Sequence, residues 1–139
     1  MREIKCRAMD DRGNWHFGYY VAGYMFDEDR VAQDVPFIVS KQMRDYVRVK
    51  VETVGQFTGL KDKNSVDIYE GDIYKRYDNI YVVIFYGFGF KCKQVYDSWL
   101  DKNVYNRNEI SFLSEVDSGY CYEVIGNIYE NPELLEGAE

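Results

Sequence analysis

The chain has 139 residues, enough for one domain over residues 1–139 whose core needs no disulfide or metal staple. It carries 17 Lys and Arg against 24 Asp and Glu, a net charge of −7, which argues against a general phosphate-binding role. Tyrosine occurs 14 times and phenylalanine 8 times, while Ala and Leu are scarce, so the composition favours strands and argues against general disorder.

The charge is uneven. Residues 1–107 hold 17 bases and 16 acids, whereas residues 108–139 hold 8 acids and no Lys or Arg. The body is near neutral and the C-terminal part is an acidic strip. Three widely spaced cysteines (Cys6, Cys92, Cys121) form no CxxC pair and make a poor disulfide framework, so they read as reduced thiols. The stretch MREIKCRAMDD lacks the apolar run of a signal peptide, and the longest apolar run, residues 80–90, is too short to span a bilayer as a helix. A soluble intracellular protein is expected, with no membrane partner.

Taken in order, residues 3–9 alternate, with Ile4, Cys6 and Ala8 on one face and Glu3, Lys5 and Arg7 on a solvated one. A turn at residues 10–14 leads to a second alternating run, in which Trp15, Phe17, Tyr19 and Val21 share a face. The two runs predict an N-terminal hairpin. Residues 26–34 read as a polar loop. A short strand over 35–39 is placed at a sheet edge, because Pro36 has no N–H to give a ladder. Residues 46–51 form a strand with Val47, Val49 and Val51 facing one way, continuing toward Phe57 with an irregularity near Gly55.

Residues 61–65 (KDKNS) read as a solvated turn in which Asp and Asn bond local amides. Residues 70–72 (EGD) read as a tight turn and residues 73–86 as a hairpin. Gly87 and Gly89 break the apolar run as a bulge, a bend or a close backbone approach. A strand is expected over 90–96 and a short one over 109–113, with a loop or poor helix over 97–108 between them. Residues 121–129 read as a strand. Asn131-Pro132-Glu133 then starts one or two helical turns, with a frayed end at 137–139. Strands about ten residues apart with Gly, Asn and Asp turns predict a mainly β fold, a small closed or partly open barrel with short helical pieces.

No residue set reaches a chemical mechanism. His16 is the only histidine and lies on an alternating strand, so it reads as a surface or hairpin residue. Asp62-x-Asn64 opens like a calcium loop, but Val66, Asp67 and Ile73 stand at positions that such a loop fills otherwise. The Gly87–Phe90 run lacks the Lys and following helix of a phosphate loop. No catalytic residue, metal ligand or cofactor is therefore expected.

Two binding signals remain. Residues 41–63 hold Lys41, Arg44, Arg48, Lys50, Lys61 and Lys63 against Asp45, Glu52 and Asp62, a net of +3. Arg44, Tyr46, Arg48 and Lys50 form a basic and aromatic strand face of the kind that stacks bases and pairs with phosphates. The plainer alternative is a solvated face whose charges discourage edge pairing. The tyrosine content exceeds what a small core holds, and Tyr20, Tyr74 and Tyr81 are expected on a surface for self-association. The favoured partner is a second copy, with another protein after it. Nucleic acid is the less favoured alternative.

The start MREIKCRAMD with Trp15 and Gly18, the stretch VGQFTGLKDKNSVDIYEGDI at 54–73 and EVIGNIYENPELL at 123–135 together resemble the YopX-type proteins of bacteriophages and prophages. The resemblance runs over nearly the whole chain, with no matching motif in residues 97–120. It implies a mainly β fold with a small barrel, a phage or prophage origin, a place in the bacterial cytoplasm, and a phage or host protein as a partner after a second copy. It carries over no activity and no catalytic residue. Ser65 stands where the family pattern has Gly, which implies a slightly different turn.

Overall fold

A computed structural model describes residues 3–26, 32–107 and 109–136. The chain divides into two compact units, Met1–Phe57 and Thr58–Glu139.

The first unit contains β1 (Cys6–Met9), β2 (Trp15–Phe26), β3 (Ala32–Val39) and β4 (Tyr46–Arg48), then a 3-10 turn over Val51–Thr53 and β5 (Gly55–Lys61). The order is β4-β3-β2-β1-β5 and the pairs are antiparallel. The expected N-terminal hairpin is present, with Cys6 opposite Gly18 and Met9 opposite Trp15. The loop expected over 26–34 lies largely outside the described residues.

Two local expectations are corrected. Pro36 does not mark an edge: β3 lies between β2 and β4, and the Pro36 carbonyl accepts from the Val49 N–H at 3.0 Å. Arg7 is not on a solvated face. Its guanidinium lies 4.5 Å from the Trp15 ring centre and the residue is buried, whereas Ile4 is exposed. Stacking on an indole lets the long Arg stem pack as an apolar group, which binary patterning does not register. The core of this unit is Ala8, Ile38 and Val49, with Cys6 and Val54 packed on it.

In the second unit β5 pairs with β6 (Asp67–Tyr69). There follow β7 (Asp72–Arg76), β8 (Asn79–Tyr86), β9 (Gly89–Asp97), β10 (Lys102–Asn103), β11 (Ile110–Phe112), α1 (Glu115–Cys121), β12 (Tyr122–Asn127) and α2 (Glu133–Glu136). The sheet order is β10-β9-β8-β7-β12, with β11 also on β9. Both faces are covered. Ile68, Tyr74, Val83, Cys92 and Tyr122 pack on one, and Ile73, Val82 and Val95 on the other beneath Ile128, Leu134 and Leu135. The short helix α1, absent from the sequence reading, starts at Ser114, whose Oγ accepts the Asp117 N–H at 3.2 Å.

The mainly β expectation holds, and no closed barrel is found among the described residues. Closure needs the two end strands of a sheet to pair. Among the described residues the sheets are open, with β4 at one end in the first unit and β10 and β12 at opposite ends in the second. Gly87 and Phe88 form neither a bulge nor a bend. They are the two-residue connection of the β8–β9 hairpin, flanked by the pair Tyr86–Gly89.

Candidate interaction surface

Three polar residues of the distinctive middle and C-terminal stretches, Asp62, Asp72 and Asn127, are buried. Asp62 is 3% exposed. Its Oδ1 accepts the N–H groups of Asn64 at 2.8 Å and Val66 at 2.9 Å, and its Oδ2 accepts that of Val124 at 2.9 Å. One carboxylate thus folds its own loop and ties it to β12, beside the register shift between Val124 and Gly126. The turn is built around a buried acid, not the solvated one expected. Asp72 is also buried and accepts the Tyr69 N–H at 2.8 Å. Asn127 Oδ1 accepts from Tyr129 and Glu130, while Asn131 Oδ1 accepts the Asn127 N–H. These groups satisfy backbone donors that burial would otherwise leave unpaired. They are structural staples.

Of the tyrosines expected on a self-association surface, Tyr20 is exposed and Tyr74 is not. Tyr74 is 1% exposed, stacked between Tyr122 at 4.3 Å and Tyr81 at 5.3 Å between ring centres. Tyr81 is half-buried in that stack, and Tyr20 lies on β2 in the other unit. Alternation assigns Tyr74 to a solvent face, but β7 is covered on both faces and has none there. Burial pushes the Tyr74 and Tyr122 hydroxyls and the Cys92 thiol above their ordinary ranges, so all three stay protonated at neutral pH.

His16 Nε2 lies 2.9 Å from Asp10 Oδ2, and Asp10 Oδ1 accepts the N–H groups of Arg12 and Asn14, each at 2.9 Å. The hydrogen bond from His16, then that from Asn14, holds the Asp10 carboxyl well below the usual carboxylate range. The pair closes the β1–β2 turn. Among the described residues no group of three or more His, Cys, Asp or Glu is placed to hold a metal ion. No helix among them is long and apolar enough to cross a membrane.

What remains open is the outer part of the first unit. Arg44, Tyr46, Arg48 and Lys50 are all exposed, with Tyr46 and Arg48 on the edge strand β4. Tyr46 is 72% exposed and meets Phe37 edge-on at 5.6 Å. Of the six cations in residues 41–63, Lys41 pairs with Glu3, Lys61 with Asp67 at 2.8 Å and Lys63 with Glu123 at 3.2 Å. Among the described residues Arg44, Arg48 and Lys50 make no such pair. Next to this edge, the β2 face that carries Phe17, Tyr19 and Val21 is uncovered, with Phe17 54% exposed. The register continues that face onto Phe37 and Val39 of β3 and onto Tyr46 and Arg48 of β4. The result is an apolar, aromatic sheet face with cations along one rim.

The family model described as YopX protein matches residues 7–136. The chain belongs to the YopX family. It is also similar to the crystal structure of protein EF1440 from Enterococcus faecalis. That match has 26% identity and a TM-score of 0.51, and covers 97% of this chain and 99% of the other. No curated protein matches it.

For this YopX-family chain, sequence reasoning missed the exposure of Phe17, Tyr19 and Val21 and the aromatic tip of the β8–β9 hairpin. Alternation placed Phe17, Tyr19 and Val21 together but does not say whether a second layer covers them. For the tip a signal was present. A Phe between two glycines at the end of an apolar run is a turn residue with nothing beside it to pack on.

Proposed function

We propose that this chain is a phage or prophage accessory protein that acts without catalysis, as a homo-oligomeric interaction module in the bacterial cytoplasm. The observation that carries the reading is the uncovered face of β2 and β4, where Phe17, Tyr19, Val21 and Tyr46 stand exposed together. A contiguous apolar patch on a folded unit loses free energy to water until a partner covers it. A second copy is the partner favoured by the sign of the charges. The rim cations Arg44, Arg48 and Lys50 suit the acidic strip beyond residue 107 of another copy. No cofactor enters this reading. Light scattering over a micromolar concentration series is expected to show association that weakens in the double variant Phe17→Ser, Tyr19→Ser. A wild-type protein that stays monomeric at high micromolar concentration sinks the proposal.

A second reading rests on the same edge. Arg44, Tyr46, Arg48 and Lys50 combine ring and charge in the manner of a single-strand nucleic-acid face. Its signature is oligonucleotide binding that falls steeply as salt rises and disappears in the double variant Arg48→Ala, Lys50→Ala. Absence of binding at low salt removes it.

A further inference from the structure

A cleft of about 360 Å³ lies in the second unit, lined by Lys63, Lys75, Tyr77, Tyr120, Cys121 and Glu123. Lys75 stands on β7 directly opposite Glu123 of β12. Lys63 reaches the cleft from the 61–65 turn, where its N–H donates to the Tyr122 carbonyl at 2.9 Å. Tyr77 opens the two-residue turn between β7 and β8, which the pair Arg76–Asn79 flanks. Tyr120 and Cys121 end α1.

The fold engages some of these side chains and leaves others unused. Lys63 pairs with Glu123 at 3.2 Å, and Asp117 of α1 pairs with Arg76 of β7 at 2.8 Å. Among the described residues the side chains of Lys75, Tyr77 and Tyr120 make no ion pair, hydrogen bond or ring contact. Tyr77 is 68% exposed and Tyr120 78%. Tyr77 also holds φ of 54°, in a turn position that normally takes Gly, Asn or Asp. A bulky residue there costs the turn and gains little packing in return. Strain of this kind collects where a residue serves something outside its own fold. Asp78 follows Tyr77 in the turn but does not line the cleft. With Glu123 engaged by Lys63, the uncompensated charge of the lining is the Lys75 ammonium. The chain's net charge of −7 opposes an anion from afar, but physiological salt screens exposed charges beyond about 8 Å.

Open phenol rings beside a free ammonium suit a planar base that carries a phosphate. The rings stack on the base and the amine pairs with the phosphate. The volume lies in the range of small-molecule sites. We propose that this cleft binds a nucleotide, with its base against Tyr77 and Tyr120 and its phosphate on Lys75. The nucleotide is a free nucleoside monophosphate or one unit of a single strand. The site shares no residue with the uncovered face of β2 and β4 or with the basic edge at Arg44, Arg48 and Lys50, so it stands independently of both readings above.

The test is titration of the full chain with AMP, read by NMR and by the rate at which iodoacetamide alkylates Cys121, which lines the cleft. AMP is expected to bind in the millimolar range or tighter and to slow alkylation of Cys121 but not of Cys6. Adenosine and inorganic phosphate, each lacking half of the ligand, are expected to bind at least about tenfold more weakly. Tyr77→Asn removes a ring and puts a residue that tolerates positive φ in the turn, so its melting temperature is expected to equal or exceed that of the wild type. Tyr77→Asn and Lys75→Gln are each expected to weaken AMP binding about tenfold. The double variant Arg48→Ala, Lys50→Ala is expected to leave it unchanged. A single-stranded oligoadenylate that binds through Tyr77 and Lys75 more tightly than AMP assigns the site to a strand, and one that binds no better assigns it to the free nucleotide. Phosphate that binds as tightly as AMP overturns the proposal, as does AMP binding that Tyr77→Asn and Lys75→Gln leave intact. Absence of binding by both AMP and the oligoadenylate overturns it as well.

Discussion

Single residues in this chain matter mostly through the backbone groups that they satisfy. Asp62 accepts three N–H groups from a buried position. Asp62→Ala leaves those donors without their acceptor and is expected to destabilise the fold by about 3 kcal/mol, measured by urea denaturation. Ser65, in the same loop, holds φ of 64°, a conformation that a side chain resists and glycine adopts freely. Ser65→Gly is expected to stabilise by about 0.5–1 kcal/mol, since the relieved αL strain exceeds the added chain entropy. Asp10 provides a pH test. Its carboxyl is held below its ordinary value by His16 and Asn14. Its contribution is therefore full above the ordinary carboxylate range and is lost as pH falls below it toward the folded value. The stability gap between wild type and Asp10→Asn, from denaturation curves at pH 7 and pH 3, is expected to narrow at pH 3.

At the scale of elements, strands were legible and their coverage was not. The runs at 3–9, 73–86 and 90–96 alternate or carry β-branched and aromatic residues, and β1, β7, β8 and β9 form there. The strand expected over 46–51 and on toward Phe57 is interrupted earlier than the irregularity expected near Gly55: β4 ends at Arg48 and a 3-10 turn over Val51–Thr53 redirects the chain before β5. Local pattern misses such a break because Val49 and Val51 keep the alternation through it. Tyr74 was misplaced for a related reason. Period-two reasoning supposes one wet face, and the second unit's sheet has apolar cover on both. Gly18 shows a constraint of the opposite kind. A Cβ there would lie 2.0 Å from the Val39 carbonyl oxygen. Gly18→Ala is expected to force β2 away from β3 at this point, with a melting temperature lowered by several degrees, on the order of 2 kcal/mol or more.

For the whole molecule, the long motifs and the exposed aromatic residues are largely different sets. The motifs at 54–73 and 123–135 hold turns and a bulge together, while the exposed aromatics at Phe17, Tyr46 and Phe88 lie outside them. Variants in the motifs are therefore expected to lower stability and association together. The double variant Phe17→Ser, Tyr19→Ser is expected to lower association alone, a separation that melting curves and light scattering on the same samples make visible.

The sequence by itself determined the strand-rich class, most turn positions and the family, because these follow from local periodicity, from Gly, Asn and Asp chemistry, and from long motifs. It also marked residues 61–65 and 70–72 as turns that organise the centre of the chain. Only the tertiary structure decided that Asp62 is buried, that Tyr74 is core, that the sheets of the described residues do not close and that Phe17, Tyr19 and Val21 stand exposed on β2. Each of these depends on which strand comes to lie beside or above another. That is a property of non-local contacts, and no window of sequence contains it.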